Sequence, residues 1–116
     1  MKLLIIDDST VNNILIQNIL EDQGYYVRTA LNGKEALDEI EKFSPDLIFL
    51  DLMMPGISGF QLLEKFQEKN IAIPVVIISA FNKDEYKEKA WQLGAKDYLL
   101  KPVNSRALIS AVQDLC

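Results

Sequence analysis

The chain contains no histidine. That absence removes Ser-His and Cys-His catalysis and every histidine-based metal site in one step. Cysteine is nearly absent too: Cys116, the last residue, stands alone, so there is no disulfide framework and no zinc ligand set, and a reducing cytosol suits the chain. Positive charge is scarce. Twelve Lys and Arg against 17 Asp and Glu leave a net charge of −5 with no basic cluster. Phosphate-backbone affinity needs concentrated positive charge, so direct nucleic-acid contact is not expected. No apolar run approaches membrane-spanning length, and the short one after Met1-Lys2 meets two aspartates at once, which does not fit a signal-peptide core. No repeat, linker or low-complexity stretch interrupts the 116 residues, and with 49% of them hydrophobic the chain can bury an ordinary core. The expectation is a soluble, cytoplasmic single domain over residues 1–116, with no membrane partner. Its chemistry must rest on carboxylates, hydroxyls and lysine.

What is present is a series of apolar runs that each end in a polar group. Leu47-Ile48-Phe49-Leu50 runs into Asp51, after which Pro55 and Gly56 break the chain. Leu3-Leu4-Ile5-Ile6 runs into Asp7-Asp8, Val75-Val76-Ile77-Ile78 into Ser79-Ala80, and Tyr98-Leu99-Leu100 into Lys101-Pro102. Each reads as a strand with a functional group at its C-terminal tip. Tyr25 to Ala30 mixes polar and apolar residues in a β-prone composition, which suits an edge strand.

Helical spacing fills the gaps. Ser9 or Thr10 caps a first helix with Val11, Ile14, Leu15 and Ile19 as its apolar positions and Gly24 at its end. Asn32-Gly33 opens a second through Ala36, Leu37, Ile40 and Phe43, closed by Ser44-Pro45. Leu62, Leu63 and Phe66 mark a third. Lys83 to Leu93 forms a charged fourth with Tyr86, Ala90 and Leu93 on one side, and Gly94 closes it. Asn104 or Ser105 caps a fifth with Leu108, Ile109, Val112 and Leu115 as its core face. Strand and helix in strict alternation, with continuous apolar runs in several strands, predict an α/β fold: a doubly wound parallel sheet of five strands with five helices covering both faces. Ligands of such sheets bind outside the carboxyl ends of the strands, where Asp7, Asp8, Asp51, Ser79 and Lys101 all fall.

Three carboxylates and one ammonium gathered there carry a net charge of about −2, and like charges so close need a counter-ion. All-oxygen ligands without His or Cys favour a hard divalent cation, and a few carboxylates with water completing the shell suit Mg²⁺. With a cation in place, Asp51 can act as an oxygen nucleophile toward phosphorus and Lys101 can stabilise charge from the other side. The product is an aspartyl phosphate, to which Ser79 can donate a hydrogen bond.

Asp7-Asp8 after the first strand, Asp51 with Met53-Met54-Pro55-Gly56, Ser79-Ala80 and Lys101-Pro102, in that order, resemble the receiver domain of bacterial two-component response regulators, of the chemotaxis-regulator type. The resemblance spans essentially the whole chain. It implies the strand order 2-1-3-4-5. It also implies that Asp51 is the phosphoacceptor and that Asp7, Asp8, Asp51 and the backbone carbonyl of Met53 hold Mg²⁺, with Asp8 the more direct ligand of the first pair. Ser79 takes the place of the hydroxyl that turns toward the phosphoryl group, Lys101 that of its lysine partner, and Tyr98 that of the aromatic switch that turns inward when Ser79 moves. Small Ala80 leaves space above the site, and the Lys101-Pro102 bond is cis in the family manner. The switching face is then the fourth helix, fifth strand and fifth helix. Met53 and Phe81 fall at the two variable positions flanking the phosphoryl group; both are apolar and neither orients a water, which implies slow self-dephosphorylation.

The function expected is a phosphorylation-activated signalling switch rather than a turnover enzyme. Its donor is a histidine kinase or a histidine phosphotransfer protein, since the chain has no histidine of its own to relay the group. Stand-alone regulator or part of a longer one, monomer or weak dimer, and the identity of the downstream target all stay open. Three rivals stand beside it. An aspartate-nucleophile phosphatase of the haloacid dehalogenase type wants a second acid where Met53 lies. A flavodoxin-like carrier would have its FMN phosphate repelled by Asp7-Asp8. The remaining alternative is a receiver-shaped protein-binding module that is never phosphorylated, against which the intact acid set speaks.

Overall fold

A computed structural model describes residues 1–54 and 56–115. Strands β1 (Lys2–Ile6), β2 (Tyr26–Ala30), β3 (Leu47–Asp51), β4 (Val75–Ser79) and β5 (Asp97–Leu100) alternate with helices α1 (Thr10–Glu21), α2 (Gly33–Phe43), α3 (Gly59–Glu68), α4 (Asp84–Gln92) and α5 (Ser105–Leu115). The sheet is parallel throughout, in the order β2-β1-β3-β4-β5. The polar strand β2 is at an edge, as its composition predicts.

All five residues of β3 and of β4 are buried, the mark of a sheet covered on both sides. Side chains alternate between two cores. Leu4, Ile6, Ile48, Leu50 and Ile77 pack against Ala36, Leu62, Phe66 and Ala90 of α2, α3 and α4. Leu3, Ile5, Phe49, Val76 and Ile78 pack against Ile16, Leu20, Leu108 and Val112 of α1 and α5. The helices begin and end where local chemistry allows. Ser9, Asn32 and Ser58 cap α1, α2 and α3 through their side chains, and Asn104 accepts from Ala107 N–H at 2.8 Å at the start of α5. Gly94 takes φ +98°, a left-handed conformation that lets the chain leave α4 for β5.

Helix α1 departs from the expected orientation. Val11, Ile14 and Leu15 are exposed at 69%, 52% and 56%, while Asn13, Ile16 and Leu20 face the sheet. Apolar residues lie on both sides of this helix, so spacing alone could not choose the buried stripe. Asn13 decides it: its carboxamide bonds to backbone at the sheet's edge, and Ile16 and Leu20 follow it inward at i+3 and i+7.

Candidate functional site

The register of the sheet brings the acids side by side. Ile6 pairs with Leu50, so the residues that follow them, Asp7 and Asp51, leave neighbouring strands at the same level. Ile78 pairs with Asp51 and Ser79 with Leu100, which brings Ser79 and Lys101 to that edge as well. Asp7, Asp8 and Asp51 each offer a carboxylate oxygen within 4.8 Å of the others. Asp7 and Asp51 are buried and Asp8 is exposed, so the group is a pocket with one open side.

Fixed donors hold this negative charge. Lys101 Nζ lies 3.0 Å from Asp7 Oδ2 and 3.5 Å from Asp51 Oδ2. Ser9 N–H donates to Asp7 Oδ1 at 2.9 Å, and Met53 N–H donates to Asp51 Oδ1 at 3.3 Å. The donors do not balance the site. Burial, and then the charge of Asp7, push the Asp51 carboxyl up to about 6 from 3.8, with Lys101 and Met53 N–H offsetting only part of the rise. Lys101 is shifted upward: burial works to lower it, but the bond to Asp7 and the charge of Asp51 together outweigh that. A site of three clustered carboxylate oxygens, whose own lysine leaves one carboxyl so reluctant to ionise, fits a small hard cation.

Beside the acids, Ser79 is fully buried and its Oγ accepts from Phe81 N–H at 3.1 Å. Tyr98 is turned inward, 9% exposed, and its hydroxyl donates to the Phe81 carbonyl at 2.6 Å. Phe81 is therefore held at both its N–H and its C=O. Its ring, 40% exposed, lies 5.6 Å from that of Tyr86. Trp91 of α4 meets Tyr98 edge-on at 6.5 Å. Met53 is 52% exposed and Ala80 is exposed. The Lys101–Pro102 bond is cis. Every site residue named from the sequence, apart from Pro55, lies among the described residues at this end of the sheet.

A family model of the response regulator receiver domain matches residues 3–113. The chain belongs to that family. The receiver is similar to the chemotaxis protein CheY of Treponema pallidum, 37% identical over 96% of this chain and 79% of that one. It is also similar to the alkaline phosphatase synthesis transcriptional regulatory protein PhoP of Bacillus subtilis, 35% identical over 97% of this chain and 47% of the relative, so the receiver spans about half of that protein. Among solved structures it resembles the receiver domain of a Francisella response regulator, with a TM-score of 0.92, 37% identity and coverage of 98% and 94% of the two chains. Receivers of this family are signalling domains of two-component systems. No helix among the described residues is long and apolar enough to cross a membrane.

One buried polar residue escaped the sequence reading. Asn13 is 2% exposed, and its Nδ2 donates to the Asp7 carbonyl at 2.9 Å, with the Ala30 carbonyl at 3.5 Å. The available signal was its spacing: Asn13, Ile16 and Leu20 form a helical stripe whose first member is polar.

Proposed function

We propose that residues 1–116 act as one cytoplasmic receiver that is switched by phosphorylation of Asp51. The observation that carries this reading is the convergence of Asp7, Asp8 and Asp51 oxygens within 4.8 Å, with the Lys101 ammonium beside two of them. The donor is a phosphohistidine on a histidine kinase or a phosphotransfer protein. An Asp51 oxygen attacks phosphorus, an O–P bond forms, the N–P bond to the donor imidazole breaks, and the donor leaves with its electron pair. Asp51 must be ionised to attack. With its carboxyl at about 6, the carboxylate form prevails above neutral pH.

Asp7, Asp8, Asp51 and the Met53 carbonyl would hold Mg²⁺, which supplies charge neutralisation at the transferring oxygens. Lys101 balances the negative charge of the product from its own side, and Ser79 exchanges its Phe81 N–H for a phosphoryl oxygen. That exchange frees one end of Phe81, whose other end is bonded to Tyr98, and so biases the face formed by α4, β5 and α5. Charge-assisted contacts of this kind supply up to about 5 kcal/mol in all, enough to move a mostly-off population to mostly-on.

Intact mass after incubation with acetyl phosphate and Mg²⁺ tests the reading. One added phosphoryl group is expected in the native protein, and none without metal or in Asp51→Asn. No gain in any condition, with the protein folded, would favour a binding module that is never phosphorylated.

A further inference from the structure

The acids differ in how they are held. Asp7 is tied at four points: its N–H donates to the Ala30 carbonyl at 3.1 Å, its C=O accepts from Asn13 Nδ2, and its carboxylate oxygens take Ser9 N–H and Lys101 Nζ. Asp8 is exposed, and its side chain makes no hydrogen bond among the described residues. What the fold fixes for Asp8 is the backbone from which its free side chain departs. The Asp7 carbonyl and the Asp8 nitrogen share one planar peptide unit, so fixing that oxygen restricts ψ of Asp7 and the plane from which Asp8 departs. The side chain that fixes it is Asn13.

Asn13 lies on the stripe that buries Ile16 and Leu20, and an aliphatic side chain there would leave the Asp7 carbonyl without its side-chain donor. Asn13 Oδ1 is buried with no partner among the described residues, and an unpaired buried acceptor is unfavourable. The retained bond is the one to the peptide that carries Asp8.

We propose that Asn13 is a positioning residue for the cation site, holding the Asp7–Asp8 peptide so that the Asp8 carboxylate faces those of Asp7 and Asp51. This rests on the Mg²⁺ reading above. Partners that orient metal ligands from behind are typically worth about 10- to 100-fold in metal affinity.

The test is Mg²⁺ titration of the unphosphorylated full chain by calorimetry, beside thermal unfolding in EDTA. Asn13→Leu is expected to bind Mg²⁺ about 10-fold more weakly while its EDTA midpoint falls by no more than about 10 °C, leaving it folded at the temperature of the titration. Asn13→Gln, which keeps a donor, should bind within about threefold of the native chain. Should the leucine variant fail to fold, Asn13→Ser, shorter by one bond and unable to span to the carbonyl, takes its place with the same expected loss. Native-like affinity in a folded Leu or Ser variant would overturn the proposal, and so would a Gln variant as weak as the leucine one. Absence of Mg²⁺ binding by the native chain would overturn both this and the metal reading, whereas native binding with an indifferent Asn13 would overturn this one alone.

Discussion

As the proposed phosphoacceptor, Asp51 would answer to two opposed demands: attack on phosphorus requires the ionised form, and burial beside Asp7 opposes it. A folded value of about 6 against 3.8 means that between those two points the native state binds more protons than the unfolded one. The contribution of Asp51 to stability is thus complete below about pH 4 and is lost as pH rises through about 6. Asp51→Asn should therefore unfold at higher urea than the native chain at pH 7.5 in EDTA, by on the order of 2 kcal/mol, and the gain should shrink toward zero near pH 4. A difference independent of pH would show an unperturbed carboxyl. Phe81 poses a separate question at the same scale. Its exposed ring offers no group to orient an attacking water, so Phe81→Glu should speed loss of phosphate from phosphorylated protein about tenfold or more, timed by decay of the phosphorylated mass. An unchanged rate would remove side-chain polarity at this position from the account.

At the level of elements, the geometry at Asp51 depends on how closely α3 approaches the end of β3. Gly59 N–H donates to the Leu52 carbonyl at 2.8 Å, and a Cβ on Gly59 would lie 2.6 Å from the Asp51 carbonyl oxygen and 2.7 Å from Leu52 Cα. Both obstacles are backbone. A Cβ on Gly33 would instead meet a side-chain atom, the Ile57 γ-methyl, which yields by turning the whole side chain about χ1. Gly59→Ala should thus cost about 3 kcal/mol or more in urea unfolding and slow phosphorylation, while Gly33→Ala should cost about 1 kcal/mol or less. Equal costs would mean that the α3 contact is not the tighter one. The elements themselves were legible in the sequence because each apolar run was bounded by a turn or cap residue: Gly24, Asn32, Ser44, Gly94 and Asn104 all stand at helix ends. The face of α1 was not legible. Val11, Ile14 and Leu15 satisfy helical spacing as well as Ile16 and Leu20 do, whereas Ile19, also expected inward, packs against the core; the buried stripe is the one that carries the bond from Asn13 to the Asp7 carbonyl beyond β1.

In the molecule as a whole, the acid cluster was readable as soon as the strands were, because a parallel sheet carries every strand end to one edge. What sequence could not supply was the hierarchy within the cluster. Lys101 lies closer to Asp7 than to Asp51, and the phenol of Tyr98 is already inward. Carboxylates gathered at one edge would also make the proposed cation a stabiliser of the fold. Mg²⁺ at one hundred times its Kd should raise the unfolding free energy by about 2.7 kcal/mol, read as a concentration-dependent rise in Tm, and Asp8→Asn should abolish most of it. A midpoint indifferent to Mg²⁺ would argue against a cation at this edge. The two bonds on Phe81 carry a different lesson. Ser79 and Tyr98 both grip its backbone, never its ring, so the grip survives any side chain placed there that leaves the loop in position. Under the proposed switching, the lifetime of the signal would be written in a replaceable side chain and its transmission in main-chain bonds. A receiver built this way can be retimed, by selection or by design, without being rewired.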